Sequence, residues 1–448
     1  MPSRSCKECT SWFCLLLLAA AARVSCCAEL SLDEAVQLAL QNNVDVANSK
    51  LDISKSQHRS KAYRSLLFPK LSTYILGSEQ LVPFSFTIPQ GTLGKIPGIG
   101  PIPGQDTPYT TAIQPTGFAM TRVAQPLSGI YRTRLTLKSL DFSTLLADQK
   151  SRGKRQDVVR DVKQIYYNIE QLESSLAAGR ETVKLYEEVQ RFTADNVSTQ
   201  TALQSDLLQA QANLAEVELS QVNLANQEAN QKEQLNDLIG RDVLTEFTVT
   251  RMERVGTAQV DLLAARARAL TQRPEIQQSH LKVLQSQEEV RAKRAEYIPE
   301  LSAEFNSVSL MNFNSFLPSG TYSIGLSLSW EPFDWGRRKY EIAEKRDTVA
   351  QDKNNEAAAR RKVIMDVDDK YRKLQQNWSK LQVAGLTQQA AIENLRVNNN
   401  QYEVQNVLLK VVLQAQNTLA QANSEYQHGL ADYWTARADF DHALGDDQ

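Results

Sequence analysis

The chain has 448 residues and a formal net charge of −2, so its overall charge gives no reason to expect nucleic-acid binding. Hydrophobic residues make up 42% of the sequence, and the mean hydropathy is low at −0.41. This composition fits helices with narrow apolar stripes and argues against one thick hydrophobic core. The length allows one large domain or two to three ordinary domains.

The first 28 residues have the layout of a secretory signal peptide. Basic residues precede the apolar run Trp12–Ala22, small residues follow it, and we expect cleavage after Ala28. Acylation of Cys27, as in a lipoprotein, is the alternative. All five cysteines precede the cleavage site, so we expect neither disulfides nor thiolate metal ligands in the exported chain. The rest of the chain has no apolar run long enough for a transmembrane helix, and any membrane crossing would have to use strands.

The first predicted helix begins in the segment LSLDEAVQLALQNN, where Ser31 and Glu34 have the spacing of a capping box. We expect this helix to end at Pro69, with strands at about 70–80 and 116–126. Between the strands, residues 82–115 are rich in Pro and Gly. We predict that they form neither helix nor β ladder.

A pair of long helices joined by a reversal is predicted next, over about 132–240. Its second helix has apolar residues at alternating spacings of three and four, which is typical of a coiled coil, and Gln221 occupies one of these positions. The apolar residues are Leu207, Ala210, Leu214, Val217 and Leu224.

The second half of the chain repeats the first. LQAQANLA begins at Leu208 and LQAQNTLA begins 205 residues later at Leu413. We expect the repeats to span residues 29–245 and 246–448. In the second repeat, Pro299 ends the opening helix, strands are predicted at about 300–309 and 321–331, and the helix hairpin at about 337–445.

The last predicted strand alternates strictly between apolar and polar residues, which indicates one apolar and one solvated face. Its apolar side chains are Tyr322, Ile324, Leu326, Leu328 and Trp330. We expect them to face lipid in an outer-membrane barrel. Four strands are too few to close a barrel, and open edges are not tolerated in hydrocarbon, so several chains should share one barrel. Trp330 and Trp335 are candidates for an interfacial aromatic belt or for packing at the junction between strands and helices.

Several segments resemble the TolC family of outer-membrane efflux proteins, and the resemblance extends over essentially the whole exported chain. They are LSLDEAVQLALQNNVDV, RPEIQQSHLKVLQSQEEVRAKRAEYIPELS, GLSLSWEPFDWGRRK and YWTARADFDHALG. The resemblance implies a mainly α fold of two repeats, a homotrimer with a shared twelve-stranded β-barrel in the outer membrane, and an α-helical tunnel in the periplasm. The implied partners are a periplasmic adaptor, an inner-membrane pump of the RND or ABC type, and outer-membrane lipid.

The expected function is passive export, as the exit duct of a tripartite efflux or type I secretion system. The alternative is an exported, elongated coiled coil with a structural or adhesive role and no channel. We expect no enzyme activity, cofactor or metal site, because the four histidines are scattered and lack metal-ligand spacing. The carboxylates of Asp368 and Asp369 are expected on a solvated helix face.

The resemblance places the periplasmic tip at the two helix reversals. In the family, an aspartate on the first hairpin can be held by a tyrosine on the second, and Asp206 and Tyr402 match these positions when the LQAQ segments are aligned. Val407 stands where some relatives have arginine, and Val411 and Gln414 stand where some have aspartates. The resemblance therefore implies a more apolar entrance without a cation-binding acidic ring.

Overall fold

The computed structural model describes residues 28–446, except residues 80, 111, 202, 252–259, 312–318, 405 and 408. Residues 1–27 of the predicted signal peptide, including Cys27, lie outside the described residues, whereas its last residue, Ala28, is described. Within the described part of the chain, no helix is long and apolar enough to cross a membrane.

The main elements follow the same order in both halves of the chain, and the first half has four additional short strands between its two long ones. The first half contains β1 (Ala28–Leu30), α1 (Leu32–Asn42), α2 (Val44–Arg64), β2 (Lys70–Glu79), β3 (Ser85–Ile88), β4 (Lys95–Ile96), β5 (Gly100–Pro101), β6 (Thr107–Thr110), β7 (Pro115–Pro126), α3 (Gly129–Ser198) and α4 (Gln204–Leu238). The second half contains β8 (Phe247–Val249), α5 (Leu262–Gln272), α6 (Pro274–Arg294), β9 (Glu300–Met311), β10 (Gly320–Ser329), α7 (Arg337–Glu403) and α8 (Leu409–Leu444). The mainly α fold with a small β part is therefore confirmed.

The opening helix of each half is broken in two, where the sequence predicted one helix. Asn43 separates α1 from α2 with an extended backbone. Its Oδ1 accepts the N–H groups of Asp45 and Val46 at 2.9 and 3.2 Å, which caps α2, and its Nδ2 donates to the carbonyl of Leu238 at 3.0 Å. In the second half, Arg273 makes the equivalent break. The single-helix prediction was wrong because the partner of Asn43 is distant in sequence.

The Pro- and Gly-rich segment contains two short antiparallel pairs, β3 with β6 and β4 with β5. The prediction that it forms no ladder was wrong. Pairs of two to four residues tolerate proline, and Pro108 stands opposite Thr87 in one of them. Phe86 packs against Tyr109 in the same pair, with ring centroids 5.2 Å apart.

The described chain divides into two compact units, and each takes segments from both halves. Unit 1 contains the residues up to Ser49, Ser151–Pro274 and those from Arg361 onward. Unit 2 contains Lys50–Lys150 and Glu275–Arg360. Long-range pairing between the repeats, and not the repeat boundary, thus defines the units.

Unit 2 is built around an antiparallel sheet with the strand order β10-β9-β7-β2. Paired residues of such a ladder lie on the same face of the sheet. One face carries the row Leu71, Val123, Phe305 and Ile324. The opposite face carries the next row, Ser72, Arg122, Asn306 and Ser323.

The core of unit 1 surrounds the parallel pair β1–β8 and the middle of α3. Tyr166 and Phe247 are almost completely buried there. The Tyr166 hydroxyl lies 2.9 Å from the carbonyls of both Leu30 and Thr250, and burial raises the pKa of Tyr166 to about 12. This tyrosine therefore links α3 to both short strands.

Candidate functional site: the helix hairpins and their tips

The hairpins of unit 1 pack along the predicted coiled-coil seams. In α4, the less exposed side chains recur at alternating spacings of three and four residues: Leu207, Ala210, Leu214, Val217, Gln221 and Leu224. In α8, they are Val412, Ala415, Leu419, Ala422 and Tyr426. Knobs-into-holes packing requires this spacing, so the structure confirms the seams.

Glycines accommodate the largest seam residues. A Cβ added at Gly179 of α3 would overlap the side-chain amide of Gln221 in α4. In the second hairpin, a Cβ at Gly385 of α7 would lie 3.6 Å from the ring of Tyr426, which follows Gln221 by 205 positions. Both hairpins thus set a long side chain at the same repeat position against a glycine, although Gly385 lies one residue beyond the equivalent of Gly179, and the sequence pattern alone did not reveal this pairing.

The two hairpins contact each other inside unit 1 through α3 and α8. The hydroxyl of Tyr186 donates to Oδ1 of Asn417 at 3.1 Å. Nearer the core, Nε2 of Gln171 lies 3.3 Å from Nε2 of His428. One face of α8 is therefore engaged by a helix of the other repeat.

Short reversals form the tips of both hairpins. The first lies between Ser198 and Gln204, and the second between Glu403 and Leu409. Asp206 lies in the first turn of α4, where its carboxylate accepts the backbone N–H of Leu203 at 3.3 Å. A carboxylate in this position stabilises a helix start, so Asp206 has a local structural role whatever else it contacts.

The other gate candidates surround the second reversal. Tyr402 lies in the last turn of α7 and is 41% exposed. Val407 is half-buried, Val411 is 39% exposed and Gln414 is exposed. Within one protomer, the described contacts of Asp206 and Tyr402 include no hydrogen bond between them. A contact between these two residues therefore stays a prediction, for a neighbouring copy or another state.

Asp368 and Asp369, which we expected on a solvated helix face, bind different partners. Asp368 accepts two hydrogen bonds from the Arg266 guanidinium, both at 2.7 Å, and this partner lowers the pKa of Asp368. Asp369 pairs with Lys373 on its own helix at 2.9 Å. The expectation was therefore wrong for Asp368, because its partner is on α5, about one hundred residues away in sequence.

Three of the histidines, His280, His428 and His442, each lie beside a different polar group. His442 lies 3.0 Å from Asp157, and this hydrogen bond is the main reason that the pKa of Asp157 is lowered. His280 lies 3.3 Å from Glu356. Over the described ranges, no three side chains of the His, Cys, Asp and Glu types are grouped as a metal would require.

A four-stranded sheet assembled from both repeats, and one long helix hairpin from each, define the class of outer-membrane channels with helical extensions. The chain belongs to the outer membrane efflux protein family, whose model matches residues 35–241 and 265–446. Family membership makes it an efflux channel of the outer membrane with a helical periplasmic part, and the resemblance to TolC-type channels is confirmed. The family and the similar structures are channels, not enzymes.

Solved outer-membrane channels share the fold at low sequence identity. The CmeC outer membrane channel of Campylobacter jejuni is 17% identical with a TM-score of 0.75, over 92% of this chain and 85% of that chain. A membrane protein from Pseudomonas aeruginosa is 18% identical with a TM-score of 0.75, over 92% and 93%. The open state of the Neisseria gonorrhoeae MtrE channel is 16% identical with a TM-score of 0.72, over 92% and 88%. No curated protein matches the sequence significantly.

Proposed function

We propose that three copies of this chain form one passive exit duct, which works with a periplasmic adaptor and an inner-membrane pump of the RND or ABC type. The observation that carries the assembly is a pair of exposed stripes on α4 and α7. The residues at the equivalent positions of the other repeat, 205 residues away on α8 and α3, are mostly half-buried within the protomer.

The α4 stripe lies beside the coiled-coil seam and follows the same alternation of four and three residues. It consists of Leu208, Ala212, Ala215, Leu219 and Val222. All five are exposed in the protomer, and Leu219 is 61% exposed. An apolar stripe with this spacing is suited to packing against another helix.

The internal repeat supplies a template for the partner of the α4 stripe. At an offset of 205 residues, Ala212 corresponds to Asn417 and Ala215 to Ala420 of α8. This face of α8 meets α3 of the other repeat, where Asn417 bonds Tyr186. Within the protomer, α8 of the second repeat packs against α3 of the first. If the contact between copies follows the same rule, α4 of the first repeat would pack against α7 of the second repeat in the next copy of the chain.

The exposed stripe of α7 is the matching surface. It contains Val383, Thr387, Ala390 and Val397, and Val404 follows just after the end of the helix. Three of its equivalents on α3, Ala178, Thr182 and Leu185, are half-buried, whereas Phe192, the equivalent of Val397, is 50% exposed. Each protomer therefore offers one exposed stripe of each kind, and such a head-to-tail contact gives a ring of identical subunits when the rotation between copies closes.

The sheet of unit 2 supports the same assembly. Its edge strands are β10 and β2, and hydrocarbon requires every backbone polar group to be paired. Three four-stranded sheets joined edge to edge would give a closed barrel of twelve strands. The face bearing Ile324, Leu326 and Leu328, each at least 65% exposed, would then contact lipid. The face bearing the ion pair of Arg122 with Glu304 would line the lumen.

At the periplasmic tip, we assign a closing role to Asp206 and Tyr402 of neighbouring hairpins. Tyr402 follows the half-buried Leu395 by one heptad, and it stays 41% exposed at the helix end. Val407 and Val411 would narrow the entrance by apolar packing and dewetting instead of by charge. The absence of an acidic ring would make block by multivalent cations weak.

A matched pair of variants tests the assembly. Leu219→Arg puts a charge into the α4 stripe, while Ser220→Arg puts the same charge on the adjacent exposed position. The first variant should lose most of the detergent-extracted trimer, because burying a leucine contributes about 1.5–3 kcal/mol and an unpaired charge opposes burial further. The second should assemble normally. Equal trimer yields would refute the stripe, and a wild-type trimer without conductance in planar bilayers would favour the structural or adhesive alternative.

A further inference from the structure

The face of the sheet that would line the lumen changes in character along its strands. Near the helices it is polar, because the ion pair of Arg122 with Glu304 is flanked by the short side chains of Ser302, Ser323 and Ser327. The next two rows, toward the far ends of β2, β7 and β9, are apolar. We call these six side chains the apolar wall: Tyr74, Leu76, Phe118, Met120, Val308 and Leu310.

Two exposed tryptophans give the orientation of the sheet. Trp330 and Trp335 follow β10 at its junction with α7 and are 62% and 87% exposed, so they do not pack into the interior of the protomer. Aromatic side chains concentrate where a membrane barrel crosses the lipid headgroups. The polar end of the lumen face would therefore lie toward the periplasm, and the apolar wall toward the cell exterior.

An apolar wall is unusual inside a barrel, because the interior of a membrane barrel is normally polar. Tyr74 packs against Phe118 within the wall, with ring centroids 5.7 Å apart. Tyr74, Leu76 and Met120 nevertheless remain 58%, 41% and 38% exposed in the protomer. The wall is therefore accessible to solutes that pass through the lumen.

Arg122 lies at the boundary between the polar rows and the apolar wall. It is two residues from Met120 on β7 and on the same face, a separation of about 6.6 Å along the strand. Its side chain is 47% exposed, whereas that of Glu304 is 13% exposed, so a solute in the lumen would contact the guanidinium more than the carboxylate. A guanidinium has five N–H donors, and the ion pair with Glu304 uses Nη2. Donors therefore remain for a second anion.

We propose that Arg122 and the apolar wall together form a transient binding site for amphipathic organic anions. The inference rests on the exit duct proposed above, which brings three copies of the site into one lumen. The anionic group of the solute would accept hydrogen bonds from Arg122, and its apolar part would lie against Met120 and Tyr74. A small anion would gain only the first contact, and an amphipathic cation would be repelled by the guanidinium. The site would thus favour one class of exported solute.

The test is the reversal potential of the purified full-length trimer in planar bilayers, with equal sodium on both sides, acetate on one side and 1-naphthalenesulfonate on the other. This potential gives the permeability of naphthalenesulfonate relative to acetate. In wild type, the permeability ratio should exceed the ratio of the diffusion coefficients of the two anions in water. The corresponding ratio for 1-naphthylmethylammonium and ammonium, measured with chloride on both sides, should not exceed their diffusion ratio.

Three variants separate the contributions of the cation and the wall. Arg122→Gln combined with Glu304→Gln removes the guanidinium without changing the net charge, and should lower the anion ratio about two- to five-fold, the range for an exposed ion pair. Met120→Gln makes one wall position polar at similar length and should lower the ratio about two-fold. Lys70→Gln is the control, because Lys70 is a cation on the same face but four residues from Tyr74 on β2. It should affect both anions alike and leave their ratio unchanged.

Trimer yield on unheated gels identifies any variant that fails to assemble, and the wild-type measurement decides by itself if a variant is lost. A wild-type anion ratio equal to the diffusion ratio would overturn the proposal. So would an unchanged ratio in the double variant, or in Met120→Gln, which would show that another segment, such as residues 82–115, covers the wall in the channel. A trimer without any conductance would refute the proposed duct and this site with it.

Discussion

Arginine substitutions at different depths along β10 test whether the apolar face of the sheet contacts lipid. Ile324 is 87% exposed and pairs with Phe305 near the middle of both strands, while Leu328 pairs with Leu301 near the helix end. A strand rises about 3.3 Å per residue and tilts by about 45°, so these positions differ by about 9 Å in depth. Ile324→Arg should cost about 2–4 kcal/mol per protomer, and Leu328→Arg about 1 kcal/mol or less.

The three copies in a trimer multiply these costs, to about 6–12 kcal/mol for Ile324→Arg. We would measure the trimer fraction on unheated gels and the stability of the trimer in lipid vesicles by denaturant unfolding. Ser327→Arg, on the opposite face, is the control and should assemble like wild type. If all three variants lose the same stability, or if Leu328→Arg is the most damaging, the apolar face does not lie in hydrocarbon with the depth deduced here.

Two further predictions concern the tip and the acid stability of unit 1. Asp206→Ala combined with Tyr402→Phe should raise single-channel conductance without reducing trimer yield, and unchanged conductance would remove both residues from the gate. His442 lowers the pKa of Asp157 in the folded state below 3.8, its value in the unfolded chain. The pair therefore stabilises the folded protein fully above pH 3.8, and this stabilisation is lost as the pH falls through the lower pKa of the folded state. Asp157→Asn should therefore lose less stability on acidification below about pH 4, measured by denaturant unfolding across a pH series. Identical pH profiles would contradict this role of the pair.

Local and periodic features were accessible from the sequence. Ser31 caps α1 by accepting the N–H of Glu34 at 3.3 Å, as the capping-box spacing predicts. The alternation from Tyr322 onward predicted β10, although the strand ends at Ser329, before Trp330. The seam spacing predicted which side of α4 packs. Helix capping, strand alternation and seam spacing depend on residues within a few positions of one another, so a single sequence contains them in full.

The features that depend on distant residues were decided only by the tertiary structure. Asn43 ends a helix because its side chain reaches Leu238, and Asp368 is bound because Arg266 approaches from α5. The four-stranded sheet exists because β7 of the first repeat pairs with β9 of the second. In a sequence, a polar residue on a helix gives the same pattern whether its hydrogen-bonding groups contact water or a distant side chain. The sequence therefore determined the order and faces of the elements, while the packing of the repeats determined which polar side chains are paired with distant residues.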